Sequence, residues 1–298
     1  MFSGVITPVV TMLDENKKLD LNGVEALIEH LISGGVNGML IMGSIGEFFA
    51  LSQDEKEAYV DFVIEKVAGR VPVLVGTGGT VLEDVIKFSQ YAEKAGADAV
   101  LLVSPYYFKL DDESLYRYFA SVAEAVDLPV ILYNFPDCTV HDLSPELIKR
   151  LAMDYKHIVG VKDTVDNISH TRSIIQAVKP VRPDFCVLSG YDEYFLGNLM
   201  AGGDGIIGGL SNLYPAFFSD MYASYQKGDF EALKEAQLKV NGMMKIYEQT
   251  KPFVAAIKMG VKLAGVSIVP EVKSPGVIAS EEETKKIKAI IDAFGPNA

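Results

Sequence analysis

The sequence predicts an α/β protein built as a (β/α)8 barrel with a C-terminal helical appendage, and three observations lead there. Short apolar runs rich in β-branched residues recur along the chain, and amphipathic segments with helical spacing separate them. The interval between runs is roughly 25 to 35 residues, the length of successive right-handed βαβ units. The runs are continuously apolar and do not alternate, as in a parallel sheet covered on both faces.

Eight runs read as strands: Gly4 to Val10, Met39 to Met42, Val71 to Gly76, Ala99 to Val103, Pro129 to Tyr133, Ile158 to Lys162, Phe185 to Ser189 and Gly205 to Ile207. Helical spacing marks Leu21 to Ile32, Gln53 to Val67, Val81 to Ala95, Asp112 to Ala125, Pro145 to Ala152, Ile168 to Val178 and Tyr214 to Gln226 between and after them. Asp229 to Glu248, Lys251 to Leu263 and Glu281 to Phe294 follow as helices with no strand between, which gives a catalytic barrel over 1–226 and a helical extension over 227–298. An open doubly wound sheet is the competing fold. Met12, Leu13 and Asp14 after the first run supply no Gly-x-Gly-x-x-Gly turn for a dinucleotide.

Of 298 residues, 49% are hydrophobic and 22% charged, enough apolar side chain for a large core. A formal charge of -13 with pI near 4.8, and scattered Lys and Arg, argue against a nucleic-acid partner. No basic leader precedes an apolar core and no run approaches the ~18 apolar residues of a membrane span, so a cytoplasmic protein is expected. Cys138 and Cys186 lack paired spacing and read as reduced structural thiols. His30, His141, His157 and His170 are isolated, so no metal site is expected.

Active sites of such barrels lie at the C-terminal strand ends, where polar residues closing apolar runs are the candidates. Lys162 closes the sixth run on the same strand face as Ile158 and Gly160, with Gly160 expected to leave room beside its stem. Burial lowers an ammonium pKa and frees an amine to attack a ketone; a lysine at a strand end also snorkels to solvent. Tyr133 ends the neighbouring run, ~4.8 Å away across a sheet, and reads as a proton shuttle or as a core-edge phenol. Gly43-Ser44-Ile45-Gly46 offers backbone N–H groups and a hydroxyl suited to a carboxylate, while Glu47 suits a helix terminus.

Together Gly43 to Glu47, Pro105-Tyr106-Tyr107, Tyr133-Asn134-Phe135-Pro136 and Gly160-Val161-Lys162-Asp163-Thr164 resemble the dihydrodipicolinate synthase and N-acetylneuraminate lyase family over nearly the whole chain. The resemblance implies a class I aldolase mechanism on a TIM barrel, with neither metal nor cofactor. It implies that Lys162 is the Schiff-base lysine, Tyr133 the acid-base phenol, and Ser44 the hydroxyl linking Tyr133 to Tyr107, which crosses a dimer interface within a homotetramer.

Two positions depart from the synthase pattern. Ile45 stands where synthases carry a second Thr, keeping a backbone donor for the 2-oxo acid carboxylate. Cys138 stands in the stretch where synthases place the arginine that grips aspartate semialdehyde, and a thiol is no substitute for a bidentate guanidinium. Gly190-Tyr191-Asp192-Glu193 is similar to the segment by which sialic acid lyases bind substrate hydroxyls, although an acidic pair also suits a helix N-terminus. Lys162-Asp163-Thr164-Val165-Asp166 resembles bacterial 2-keto-3-deoxygluconate aldolases.

The expected substrate is therefore a 2-keto-3-deoxy sugar acid with a pyruvate half, bound by Ile45, Thr164, Gly190, Asp192, Glu193 and Ile207. Alternatives within the same fold are 4-hydroxy-tetrahydrodipicolinate synthase, N-acetylneuraminate lyase and a deoxy acid dehydratase. A 2-oxo acid sensor retaining the pocket is the non-enzymatic alternative.

Overall fold

The computed structural model describes residues 2–297. Eight strands, β1 (Gly4–Pro8), β2 (Gly38–Ile41), β3 (Val73–Gly76), β4 (Ala99–Val103), β5 (Val130–Asn134), β6 (Ile158–Asp163), β7 (Cys186–Ser189) and β8 (Gly205–Ile206), form a closed barrel in chain order. The pairings are parallel. This is the expected (β/α)8 fold, and closure excludes the open doubly wound sheet.

The helices are α1 (Leu21–Ser33), α2 (Gln53–Val67), α3 (Leu82–Ala95), α4 (Asp112–Ala123), α5 (Pro136–Thr139), α6 (Pro145–Asp154), α7 (Ile168–Val178), α8 (Phe195–Met200), α9 (Pro215–Lys227), α10 (Phe230–Met243), α11 (Val254–Leu263) and α12 (Glu281–Phe294). Local chemistry explains their ends. Ser52 and Ser280 form capping boxes with Glu55 and Glu283, and the side chains of Asp111, Ser144 and Asn167 accept from the first turns of α4, α6 and α7. Gly96 and Gly228 close α3 and α9 with φ of 97° and 73°, where an L side chain is strained.

Proline sets two strand boundaries later than the apolar pattern suggests. Pro72 and Pro129 lack the N–H that a ladder needs, so β3 starts at Val73 and β5 at Val130. The segment expected as one helix over Asp229 to Glu248 is α10 followed by a 3-10 turn, Met244–Glu248, a common tightening at a helix end. The short α5 and α8 lack the length that makes periodicity legible.

The chain separates into two compact units. One comprises residues 2–4 and Pro72–Ile207 and holds β3 to β8 with α3 to α8. Its core is built from strand residues such as Val75, Leu102, Ile131, Val161 and Val187, packed with Phe88, Phe119, Ile148, Ile174 and Phe195, all buried. The other comprises Val5–Val71 with residues 208–297, and so carries the barrel's beginning together with α9 to α12. Among the described residues, no helix is long and apolar enough to cross a membrane.

Candidate active site

Within the first unit, β5 and β6 pair so that Tyr133 stands opposite Lys162 and Asn134 opposite Asp163. Successive residues on a strand turn to opposite faces. Asp163 accepts a 2.7 Å hydrogen bond from Thr171 on α7, so its face is turned to the helices and Lys162 takes the other. Lys162 is buried, and its Nζ lies over the Tyr133 ring, 4.3 Å from the centroid. Phe135 stacks on Tyr133 from a centroid distance of 5.8 Å.

Burial pushes the Lys162 pKa down to about 7, against the opposing pull of the Asp192 carboxylate. A lysine at its ordinary value near 10.4 has only about one amine in two thousand free at pH 7, and burial raises that fraction strongly here. Burial thus favours the free amine, the form able to attack a carbonyl.

Gly160 is set first by its neighbour on β7. A Cβ there would lie 2.1 Å from the Sγ of buried Cys186 on β7, the residue paired with Gly160, so the missing side chain accommodates the neighbouring strand. A second close approach fixes Gly190, whose Cβ would stand 1.8 Å from the Thr164 hydroxyl. Thr164 N–H donates to the Asn134 carbonyl and Gly190 N–H to that of Asp163, both over 2.8 Å, carrying the ladder past the strand ends. Ile207 N–H likewise donates to Ser189 O over 2.8 Å.

Asp192 and Glu193 begin a 3-10 turn, Asp192–Tyr194, after β7. Asp192 is buried and its charge acts on Lys162, so it is more than an acidic cap. Burial, reinforced by Asp166, raises the Glu193 pKa. Burial and then the charges of Asp137, Asp166 and Glu193, with Cys138, push Tyr191 up to about 12. Cys138 on α5 therefore sits in acidic surroundings, where burial and Asp137 raise its own pKa. Tyr107 lies on the loop before α4 with 87% of its surface exposed and φ of 99°, its ring edge-on to Phe108 at 5.1 Å.

Ser44 and Ile45 belong to the second unit, in the loop after β2. Gly46 N–H donates to Gly43 O over 3.0 Å and Glu47 N–H to Ser44 O over 3.1 Å, so these two amides close the turn. The expected row of carboxylate donors is thereby narrowed. Ile45 is buried, and a Cβ on Gly209 would lie 2.8 Å from its Cδ1. Glu47 caps no helix with its side chain. Its Oε1 accepts from Lys258 Nζ at 2.5 Å, with both side chains buried, and its Oε2 accepts from Lys273 N–H at 2.7 Å. Sequence patterning gave no sign of this pair, since 211 residues separate its members.

Among the described residues, no three His, Cys, Asp or Glu side chains gather as a metal site.

Comparison with known proteins identifies the family. Residues 1–294 match the model of the dihydrodipicolinate synthetase family. YagE of Escherichia coli K12, provisionally named a 2-dehydro-3-deoxy-D-gluconate aldolase, is 39% identical over 98% of this chain and 96% of its own. YjhH of the same organism, named in similar terms as a 2-dehydro-3-deoxy-D-pentonate aldolase, is 36% identical over 99% and 98%. The 4-hydroxy-tetrahydrodipicolinate synthase of Thermotoga neapolitana is 36% identical over 99% of both chains. The crystal structure of YagE in complex with pyruvate superposes with a TM-score of 0.97 over 99% of both chains. The chain belongs to the dihydrodipicolinate synthetase family and is a lyase of that family.

Proposed function

We propose that the protein is a class I aldolase that cleaves a 2-keto-3-deoxy sugar acid, such as 2-keto-3-deoxygluconate, to pyruvate and an aldehyde. The observation that carries this reading is the buried Lys162 amine, its pKa lowered by burial and its Nζ set over the Tyr133 ring. A metal or organic cofactor has no role in it. The names of YagE and YjhH, and the pyruvate bound to YagE, support the substrate class.

In the proposed mechanism Lys162 attacks the C2 carbonyl, the Tyr133 phenol gives its proton to the departing hydroxyl, and water leaves behind an iminium ion and a phenolate. Tyr133 takes the proton of the C4 hydroxyl, the C3–C4 bond breaks, and its electron pair moves into the iminium to form an enamine. The aldehyde leaves, Tyr133 passes its proton to C3, and water hydrolyses the resulting iminium to release pyruvate and the Lys162 amine, the proton set free restoring the phenol. The Asp192 carboxylate is the counter-charge for the iminium as well as a receptor for substrate hydroxyls. Ser44 relays protons between Tyr133 and Tyr107, with Tyr107 supplied by a second subunit of a homotetramer; the exposure of Tyr107 in the single chain is consistent with that role. Ile45, Thr164, Gly190, Glu193 and Ile207 shape the substrate site.

The T. neapolitana relative favours a second reading, condensation of pyruvate with aspartate semialdehyde. Against it stand Cys138 and the acidic surroundings of Tyr191, which offer a carboxylate no partner. Pyruvate release from 2-keto-3-deoxygluconate, followed with a pyruvate-specific assay, tests the proposal. Steady release supports it; condensation activity without cleavage favours the synthase.

A further inference from the structure

Each of the two residues assigned chemistry above is followed by a residue whose side chain turns to the helix side of the same strand: Asn134 after Tyr133, and Asp163 after Lys162. Asn134 Nδ2 donates to Asp163 Oδ1 over 2.9 Å, and both side chains are buried. The same nitrogen donates to Asp142 Oδ1 over 2.9 Å, while the side-chain Oδ1 of Asn134 accepts from Leu143 N–H at 3.0 Å. Asp163 also accepts the Thr171 hydroxyl.

His170 completes the cluster from α7. Its Nδ1 is 3.1 Å from both Asp163 oxygens, and its Nε2 is 3.2 Å from Asp142 Oδ1. A ring nitrogen facing a carboxylate is favourable only as a donor, and both nitrogens donate only in the imidazolium. Burial pulls the His170 pKa down, but the hydrogen bond and charge of Asp163, the charge of Asp142 and the Leu143 backbone leave it raised. The ring thus supplies the positive charge that a buried Asp163 needs, and an uncompensated carboxylate there would be costly.

We propose that His170 is a positioning residue: by bridging Asp163 and Asp142 it holds the Asn134–Asp163 link, and through that link it fixes Tyr133 against Lys162 for carbon–carbon bond cleavage. The proposal rests on the roles given above to Lys162 and Tyr133. Imine formation requires the Lys162 amine and a ketone, whereas cleavage also requires the phenol at a set distance from the C4 hydroxyl. Loosening the link therefore acts on turnover and spares pyruvate capture. Asp142 lies in the connection between α5, which carries Cys138, and α6, so the bridge also anchors that connection.

The test uses the full chain with His170→Ala and, as a milder change that keeps one donor, His170→Gln. Two quantities are read: kcat for pyruvate release, and the pyruvate concentration giving half-maximal borohydride labelling of Lys162. The expected result is a fall in kcat of about 10- to 100-fold for His170→Ala and a smaller fall for His170→Gln, with half-saturation moving by less than about twofold. If the alanine variant does not fold, the glutamine variant decides. Unchanged kcat in a folded variant, or half-saturation worsening in step with kcat, overturns the proposal. A wild type that turns over without taking label refutes the Schiff-base reading instead, and kcat in the variants still judges His170.

Discussion

Lys162 Nζ sits over the ring face of Tyr133, 4.3 Å from its centre, and the two residues are direct partners across β5 and β6. The pairing follows from strand register, so neither side chain needs a long excursion to meet the other. An amine poised above a phenol ring suits a site in which nucleophile and proton shuttle act on neighbouring atoms of one substrate. Burial of the amine lowers its pKa, and in the proposed mechanism that supplies the reactivity while the ladder supplies the alignment.

That alignment predicts a separation of steps. Tyr133→Phe keeps the ring that packs on Phe135 and Lys162 but removes the hydroxyl. Borohydride trapping of pyruvate is expected to persist in this variant while cleavage slows by about two orders of magnitude or more. Full cleavage activity would move the proton transfer to another group.

The lowered Lys162 pKa has a cost in stability whose pH dependence has a definite sign. An unfolded lysine titrates near 10.4 and the folded one at about 7, so below pH 7 the folded protein bears the full cost of a buried ammonium. As pH rises from about 7 towards about 10 the folded amine is neutral and the cost shrinks to nothing. Lys162→Met should therefore raise Tm most at pH 6 to 7, by thermal unfolding, and the gain should vanish towards pH 10. A gain that grew with pH would contradict the assignment.

The buried Glu47–Lys258 pair makes a separate prediction for the second unit. Lys258→Met alone leaves the Glu47 carboxylate without its ammonium and should cost about 3 to 5 kcal/mol in denaturant unfolding. Combining it with Glu47→Gln should recover much of that loss. Additive losses in the double variant would show that the two side chains act independently.

On the proposed reading, substrate choice turns on Cys138 and on the carboxylates after β7. A hydrogen bond to a charged group is worth roughly 1.5 to 3 kcal/mol, so lacking the semialdehyde-gripping arginine costs between about ten- and several hundred-fold in discrimination. We expect kcat/KM to rank 2-keto-3-deoxygluconate cleavage above N-acetylneuraminate cleavage, with semialdehyde condensation weakest. Fastest condensation would require another basic group to take that carboxylate.

The barrel was legible because its signal is local. Continuous apolar runs such as Ala99 to Val103 and capped amphipathic helices such as Gln53–Val67 announce themselves within a short window. Lys162 and Tyr133 were legible as polar closures of apolar runs. What stayed hidden depends on packing between distant segments: the fit of Gly160 to Cys186, the pairing of Glu47 with Lys258, and the bridge from His170 to two aspartates. His170 looked isolated because its partners come from a strand and a loop that only folding brings together, and the part that Asp163 plays on the helix side of β6 was equally hidden.

The most direct test of the account is reduction with borohydride in the presence of pyruvate, followed by peptide mass mapping. The account predicts one pyruvate-derived mass increment, on the peptide containing Lys162, and its loss in Lys162→Ala together with cleavage activity. Label on a different lysine, or an active Lys162→Ala variant, would contradict it.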